Sequence, residues 1–239
     1  MTIRWCDSMS SMGEMPMAGG WTMSMAWMRM PGQSWPGAAA SFVGMWVTMK
    51  VAMMLPSLVP TLWRYRKAIG EAVEPRVDML TALAFTGYFF VWALIGLAAY
   101  LPGIALASLT MQLPALARAT PIAVGVIVMV AGAIHFTAWK AHHLACCREL
   151  PIRAHASRAS AGTAWRYGLR LGAHCSLCSA GLTAILIAVG IMDLRTMAVV
   201  TATITIERHA PEGERVARAI GTVAVCAGLF LLARATLPG

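Results

Sequence analysis

The sequence predicts an all-α protein, a polytopic transmembrane helical bundle of about five to six spans preceded by a methionine-rich extracytoplasmic tail. Three observations predict it. Of the 239 residues, 59% are apolar and only 12% charged, with a mean hydropathy of +0.67, outside the range of ordinary water-soluble domains. Hydrophobic stretches long enough for a hydrocarbon core of about 30 Å recur at 38–63, 79–101, 120–139, 168–190 and 216–234, with a shorter sixth at 194–206. Small residues stand at helix close-packing intervals, as in Gly168-x-x-x-Gly172, and the strict alternation of membrane-barrel strands is absent.

Taken in order, the chain divides into a tail at 1–37 and a helical domain at 38–239. The tail holds nine of the eighteen methionines, with Met9, Met12, Met15 and Met17 in one group and Met23, Met25, Met28 and Met30 in another. Thioethers are soft, uncharged ligands that survive an oxidising compartment, where paired thiols become disulfides, and soft ligands select Cu(I) over hard divalent ions. The alternative is that methionine fills irregular gaps as a flexible apolar residue, but the interleaved Ser, Gly and Pro leave little here to form a core. No apolar core of signal-peptide length occurs in 1–37, so the tail is expected to be mature sequence. Trp35-Pro36-Gly37 is expected to oppose helix and close the tail.

The first span carries Met45, Met49 and Met53, which recur every four residues and so stack on one helix face. This is either a continuation of the tail's ligand chemistry or a packing stripe. Pro56 and Pro60 are expected to kink or loosen its inner half. Lys50 lies well inside the span, and an intramembrane charge is a functional candidate by default. The sequence names no carboxylate partner for it, since Asp193 and Glu207 sit at the ends of the shorter sixth stretch.

Lys and Arg counts orient the bundle. Arg64, Arg66, Lys67 and Arg76 mark 64–78, and Lys140, Arg148, Arg153, Arg158, Arg166 and Arg170 mark 140–170, as cytoplasmic loops. The stretch 102–119 and the turn near 191–195 are poor in basic residues and belong outside with the tail, in a bacterial inner membrane. The net charge of +9 is then topology and lipid-headgroup attraction and makes no case for nucleic acid. No phosphate loop, dinucleotide fingerprint or nucleophile elbow occurs, so the sequence does not support nucleotide-driven pumping.

Five of six histidines and four of six cysteines lie between 135 and 178. On a continuous helix His135, Trp139, His142 and Cys146 form one strip, and His143 and Cys147 an adjacent one. The fourth span opens with His174, Cys175 and Cys178, in which His174 and Cys178 share a face and the two thiols lie one turn apart. The two helices, joined by a cytoplasmic loop, are expected to bring His143, Cys147, His174, Cys175 and Cys178 to one depth, a set suited to Cu(I), with zinc also possible. Cys6, Cys226, His155 and His209 read as bystanders.

On these residues the chain resembles a bacterial family of metal-binding integral membrane proteins, the kind represented by a small copper-handling membrane partner of a bacterial tyrosinase. The likeness runs from about residue 9 to 209. It rests on the methionine-rich segment, Trp46-x-x-Met49-x-x-Ala52-Met53-Met54-Leu55-Pro56-Ser57, Lys140 followed by Leu144, Cys147 and Arg148, the Gly168, Gly172, Cys175, Cys178 series, and Gly190-x-Met192-x-Leu194-x-x-Met197 running to Glu207. The resemblance implies copper binding in a helical bundle and supply of copper to an enzyme assembled outside the cytoplasm. This chain departs from the family pattern at His143, where a cysteine is usual, and at Ser179-Ala180, where Cys-Trp is usual.

Four functions compete. The leading one is Cu(I) capture by the outer methionines, relay along Met45, Met49 and Met53, and holding by His135, His143, Cys147, His174, Cys175 and Cys178, with Lys50 and Lys140 as further functional residues. The others are a membrane thiol-disulfide oxidoreductase, a haem protein ligated by His135 and His174, and an accessory subunit of a membrane complex that holds no metal.

Overall fold

The computed structural model describes residues 15–17, 21–23, 27, 32–70, 76–149, 160–191 and 193–236. Two three-residue strands, β1 (Met15–Met17) and β2 (Trp21–Met23), pair antiparallel. Everything else regular is helix: α1 (Trp35–Gly70), α2 (Val77–Gln112), α3 (Pro114–Ile134), α4 (Ala138–Glu149), α5 (Ala161–Cys178), α6 (Ala180–Val189), α7 (Leu194–His209) and α8 (Gly213–Thr236). The helices α1, α2, α3 and α8 are each long and apolar enough to cross a bilayer, and α5 with α6, bent by 61°, make a fifth span if taken together. The shorter sixth stretch forms α7, which at 16 residues rises only about 24 Å and falls short of a span.

Local chemistry explains where the boundaries depart from expectation. Helix α1 begins at Trp35, so Trp35-Pro36-Gly37 opens the helix instead of opposing it. Proline's fixed φ and missing N–H suit a first turn, and the Ser34 hydroxyl accepts from the Gly37 amide at 3.3 Å as an N-cap. The helix then runs through Pro56 and Pro60 to Gly70. The basic stretch 64–78 is therefore largely the end of α1 and the start of α2, and α2 meets α3 across the single residue Leu113, where a loop was expected.

The third span ends early. His135, Phe136 and Thr137 donate their amides to carbonyls three residues back, a tightened last turn, and the Thr137 hydroxyl then accepts from the Lys140 amide at 3.3 Å to cap a separate helix, α4. The strip His135, Trp139, His142, Cys146 is broken at this point, because its members no longer share a helix. In the fourth span the Ser179 hydroxyl bonds back to the Cys175 carbonyl at 2.8 Å, a contact that bends helices, and the 61° break falls at this residue.

Glycines let the helices approach. A Cβ at Gly168 would run into the Ala84 carbonyl and one at Gly172 would stand 2.8 Å from the Tyr88 carbonyl, so the Gly168-x-x-x-Gly172 face seats α5 directly on α2. A Cβ at Gly132 would lie 2.7 Å from the Val225 amide, and one at Gly228 2.6 Å from the Met129 amide, which closes α3 on α8 in the same way. The core runs through the bundle from Phe42 and Trp46 past Met53, Tyr88 and Cys175 to Leu186.

Candidate metal centre

Helices α4 and α5 bring the expected histidines and cysteines together as pairs. His143 Nδ1 lies 3.4 Å from His174 Nδ1, with both rings half-buried. One turn on from each, Cys147 and Cys178 are both buried and are neighbours. Cys175 is also buried, with its sulfur 2.9 Å from the Tyr88 hydroxyl on α2. Among the described residues no three His, Cys, Asp or Glu side chains converge on one point as a ligand set. The arrangement is a thiol pair, an imidazole pair and a third thiol on the same two helices.

Electrostatics favour the ligating form of His143 and oppose that of Cys147 on α4. Burial, and after it the neighbouring His174 and His142, lower the His143 pKa below its ordinary value, which keeps the imidazole neutral. The neighbouring Cys178, together with burial, pushes the Cys147 thiol up, which favours its protonated form while no metal is bound. The positive charge comes from Arg208 on α7. This guanidinium is buried, donates to the Ser57 hydroxyl at 3.0 Å, has no acidic partner among the described residues, and stands close enough to Cys147, Cys175, Cys178 and Tyr88 to be felt by all four. A buried charge without a counter-ion is costly. Thiolate is the compensating anion that its neighbours can supply.

The other singled-out residues fall elsewhere. His135 turns away from the imidazole pair: Nδ1 meets the Ala131 carbonyl at 2.9 Å and Nε2 faces Glu207 at 3.2 Å, within ion-pair distance but off the line of a hydrogen bond. His135 thus stands beside Glu207, with Nδ1 held by the Ala131 carbonyl. Lys140 is buried, donating to Glu207 at 2.8 Å and to the Cys178 carbonyl at 2.7 Å. It is therefore no exposed topology charge, and its ammonium pins the C-terminus of α5, where Cys178 sits. Glu207 on α7 remains ionised: burial works against its charge, but His135 and Lys140 hold the carboxyl below its ordinary range.

Lys50 is fully buried without a carboxylate. It donates to Thr183 at 3.1 Å and lies 4.9 and 4.4 Å from the ring centres of Trp46 and Trp92, so two indole faces and a hydroxyl take the place of a counter-ion. Met45, Met49 and Met53 are all buried, and Met53 precedes by one turn the Ser57 that holds Arg208. The tail's Met9, Met12, Met25, Met28 and Met30 lie outside the described residues, as do the side chains of Met15, Met17 and Met23.

Glu207, Arg208 and Tyr88 are the members of this assembly that sequence reasoning did not place. The signal available was a Glu-Arg pair closing an otherwise apolar stretch. A cavity of about 690 Å³ opens between α1, α4 and the turn from α7 to α8, and Cys147, Arg208, Ser57 and Arg64 stand in its wall.

Fold and site together define a class: an apolar helical bundle with four helices long enough to cross a membrane, whose thiols, imidazoles and thioethers are soft-metal ligand types. The chain belongs to the PpoB2 copper chaperone family, which matches residues 43–231. Membership supports copper binding by this chain. The matched region contains the Met45, Met49 and Met53 face and the whole α4–α5 centre, and it begins after the methionine-rich tail. No curated protein and no solved structure matches the chain.

Proposed function

We propose that this protein captures Cu(I) outside the cytoplasm on the tail methionines and passes it along Met45, Met49 and Met53. It then holds the ion at Cys147 and Cys178, with Cys175, His143 and His174 as exchange partners, for delivery to a copper enzyme. The observation that carries this reading is Arg208. A Cu(I) ion between two thiolates has a net charge of −1, and a buried guanidinium lacking any acidic partner is the compensation such a complex needs. Pairing favours copper over zinc. Cu(I) accepts two soft ligands, whereas structural zinc takes four in a tetrahedron. The methionine face supports a relay because it is buried and leads to the turn of α1 that holds Arg208.

Copper stoichiometry of the detergent-purified, Cu(I)-loaded protein tests this directly. Cys147→Ser with Cys178→Ser is expected to remove the bound ion, and His143→Ala or His174→Ala to weaken its retention severalfold. The neighbouring buried thiols of Cys147 and Cys178 also favour a disulfide-exchange reading. Full copper stoichiometry in the double variant, with a Cys147–Cys178 disulfide forming in the unaltered protein, would install that reading instead.

A further inference from the structure

The cavity beside the centre puts Cys147 and Arg208 in the wall of a space large enough for a small molecule. Its volume of about 690 Å³ is that of a small-molecule pocket. Three charged groups in its wall are already matched or partly matched by ion pairs: Arg215 with Glu212 at 2.6 Å, and Glu214 with Arg218, outside the lining, at 3.6 Å. Two cations remain without an acidic partner among the described residues, Arg208 at the inner wall and Arg64 nearer the surface. The Nη2 of Arg208 is buried and has no hydrogen-bond partner. Cys147, half of the thiol pair, lines the same space.

We propose that this cavity is a binding site for a small thiol that also carries carboxylates, whose anionic groups are held by Arg208 and Arg64 while its sulfur meets copper at Cys147. The inference rests on the reading of Cys147 as a Cu(I) ligand. Chemistry selects the ligand class: two unpaired guanidiniums recognise carboxylates, and the exchange needs a soft donor at the position of Cys147. In the exchange the incoming thiol forms a Cu–S bond as the Cys147–Cu bond breaks. Its proton passes to the Cys147 sulfur, and copper stays Cu(I) throughout, so neither oxidant nor reductant is required. Small anionic thiols thereby load or unload the centre through a route that leaves the methionine face untouched.

The test uses the full-length protein in detergent and three probes: reduced glutathione, S-methylglutathione, which keeps the carboxylates and loses the free thiol, and 2-mercaptoethanol, a thiol without a carboxylate. Glutathione is expected to remove Cu(I) at least tenfold faster than 2-mercaptoethanol at equal thiolate concentration, and S-methylglutathione to bind the copper-free protein and slow that removal. Arg208→Gln should abolish binding of S-methylglutathione. Ala145→Trp, which fills the cavity from α4 without altering a charge, should do the same while copper stoichiometry stays intact. Equal removal rates for glutathione and 2-mercaptoethanol, or S-methylglutathione binding unchanged by Ala145→Trp, overturns the proposal. Because S-methylglutathione binding is measured without copper, its loss is distinguishable from failure of Cys147 to ligate the ion.

Discussion

Glu207 is the residue on which the inner end of the bundle turns. It accepts from Lys140 on α4, faces His135 at the end of α3, and is carried by α7 next to Arg208. Its folded carboxyl lies below the ordinary value of 4.5 although burial opposes ionisation. A depressed carboxylate contributes stability that is fully present above that ordinary value and is lost as pH falls through the lowered one. Glu207→Gln leaves Lys140 buried without its counter-ion and is expected to cost about 3–5 kcal/mol at neutral pH. The acid limb of the pH–stability curve should flatten, and denaturant unfolding in detergent across the acid range measures both. An unchanged acid limb would show that Glu207 is not ionised in the fold. The sequence marked Lys140 as significant but supplied no partner for it. Spacing reports which residues share a face of one element, while this partner comes from another helix 67 residues away. Lys50 was obscure for a related reason, because its stabilisation comes from indole faces and not from an opposite charge.

At the level of the element, periodicity disclosed which residues share a face but not where a helix breaks. The pairs His143 with Cys147 and His174 with Cys178 lie one turn apart on α4 and α5 as their spacing requires. The longer strip from His135 to Cys146 failed, because a Thr137 cap divided what hydropathy presented as one span. Similarly, hydropathy counted 168–190 as one segment, whereas a single hydroxyl at Ser179 competes for a helix carbonyl and accompanies a 61° bend. Gly168-x-x-x-Gly172 was legible, since small residues at that interval have few other uses in an apolar helix. Gly168→Leu would drive a side chain into the Ala84 carbonyl of α2 and is expected to destabilise the bundle by about 1–3 kcal/mol or more. Thermal unfolding that matches the unaltered protein would contradict the α2–α5 contact. Replacing Met45, Met49 and Met53 together by Leu nearly conserves volume, at less than about 1.5 kcal/mol per site. Copper transfer from tail to centre should nevertheless fall severalfold in stopped-flow loading. Unaltered loading kinetics would return the three side chains to packing alone.

For the molecule as a whole, composition was enough to establish an apolar helical bundle, and the soft-ligand inventory was enough to suggest copper. Neither reveals the buried cation beside the thiols, because Arg208 looks in sequence like the last turn of a short helix. Orientation is a separate expectation from the basic residues. With the ends of α1 and α5 that carry Arg64, Arg66, Lys67 and Arg166 in the cytoplasm, residues 1–37 should be cleaved by protease added to spheroplasts, and protection of the tail would invert the bundle. The central claim is that Cu(I) rests on the α4–α5 thiols beside Arg208 and not on thioethers. Copper K-edge X-ray absorption of the Cu(I)-loaded, full-length protein carrying Leu at Met23, Met25, Met28 and Met30 tests it most directly. A low-coordinate Cu(I) spectrum dominated by thiolate sulfur, abolished by Cys147→Ser with Cys178→Ser, is the predicted result. A copper signal that vanishes with the tail methionines and is indifferent to the two cysteines would contradict it.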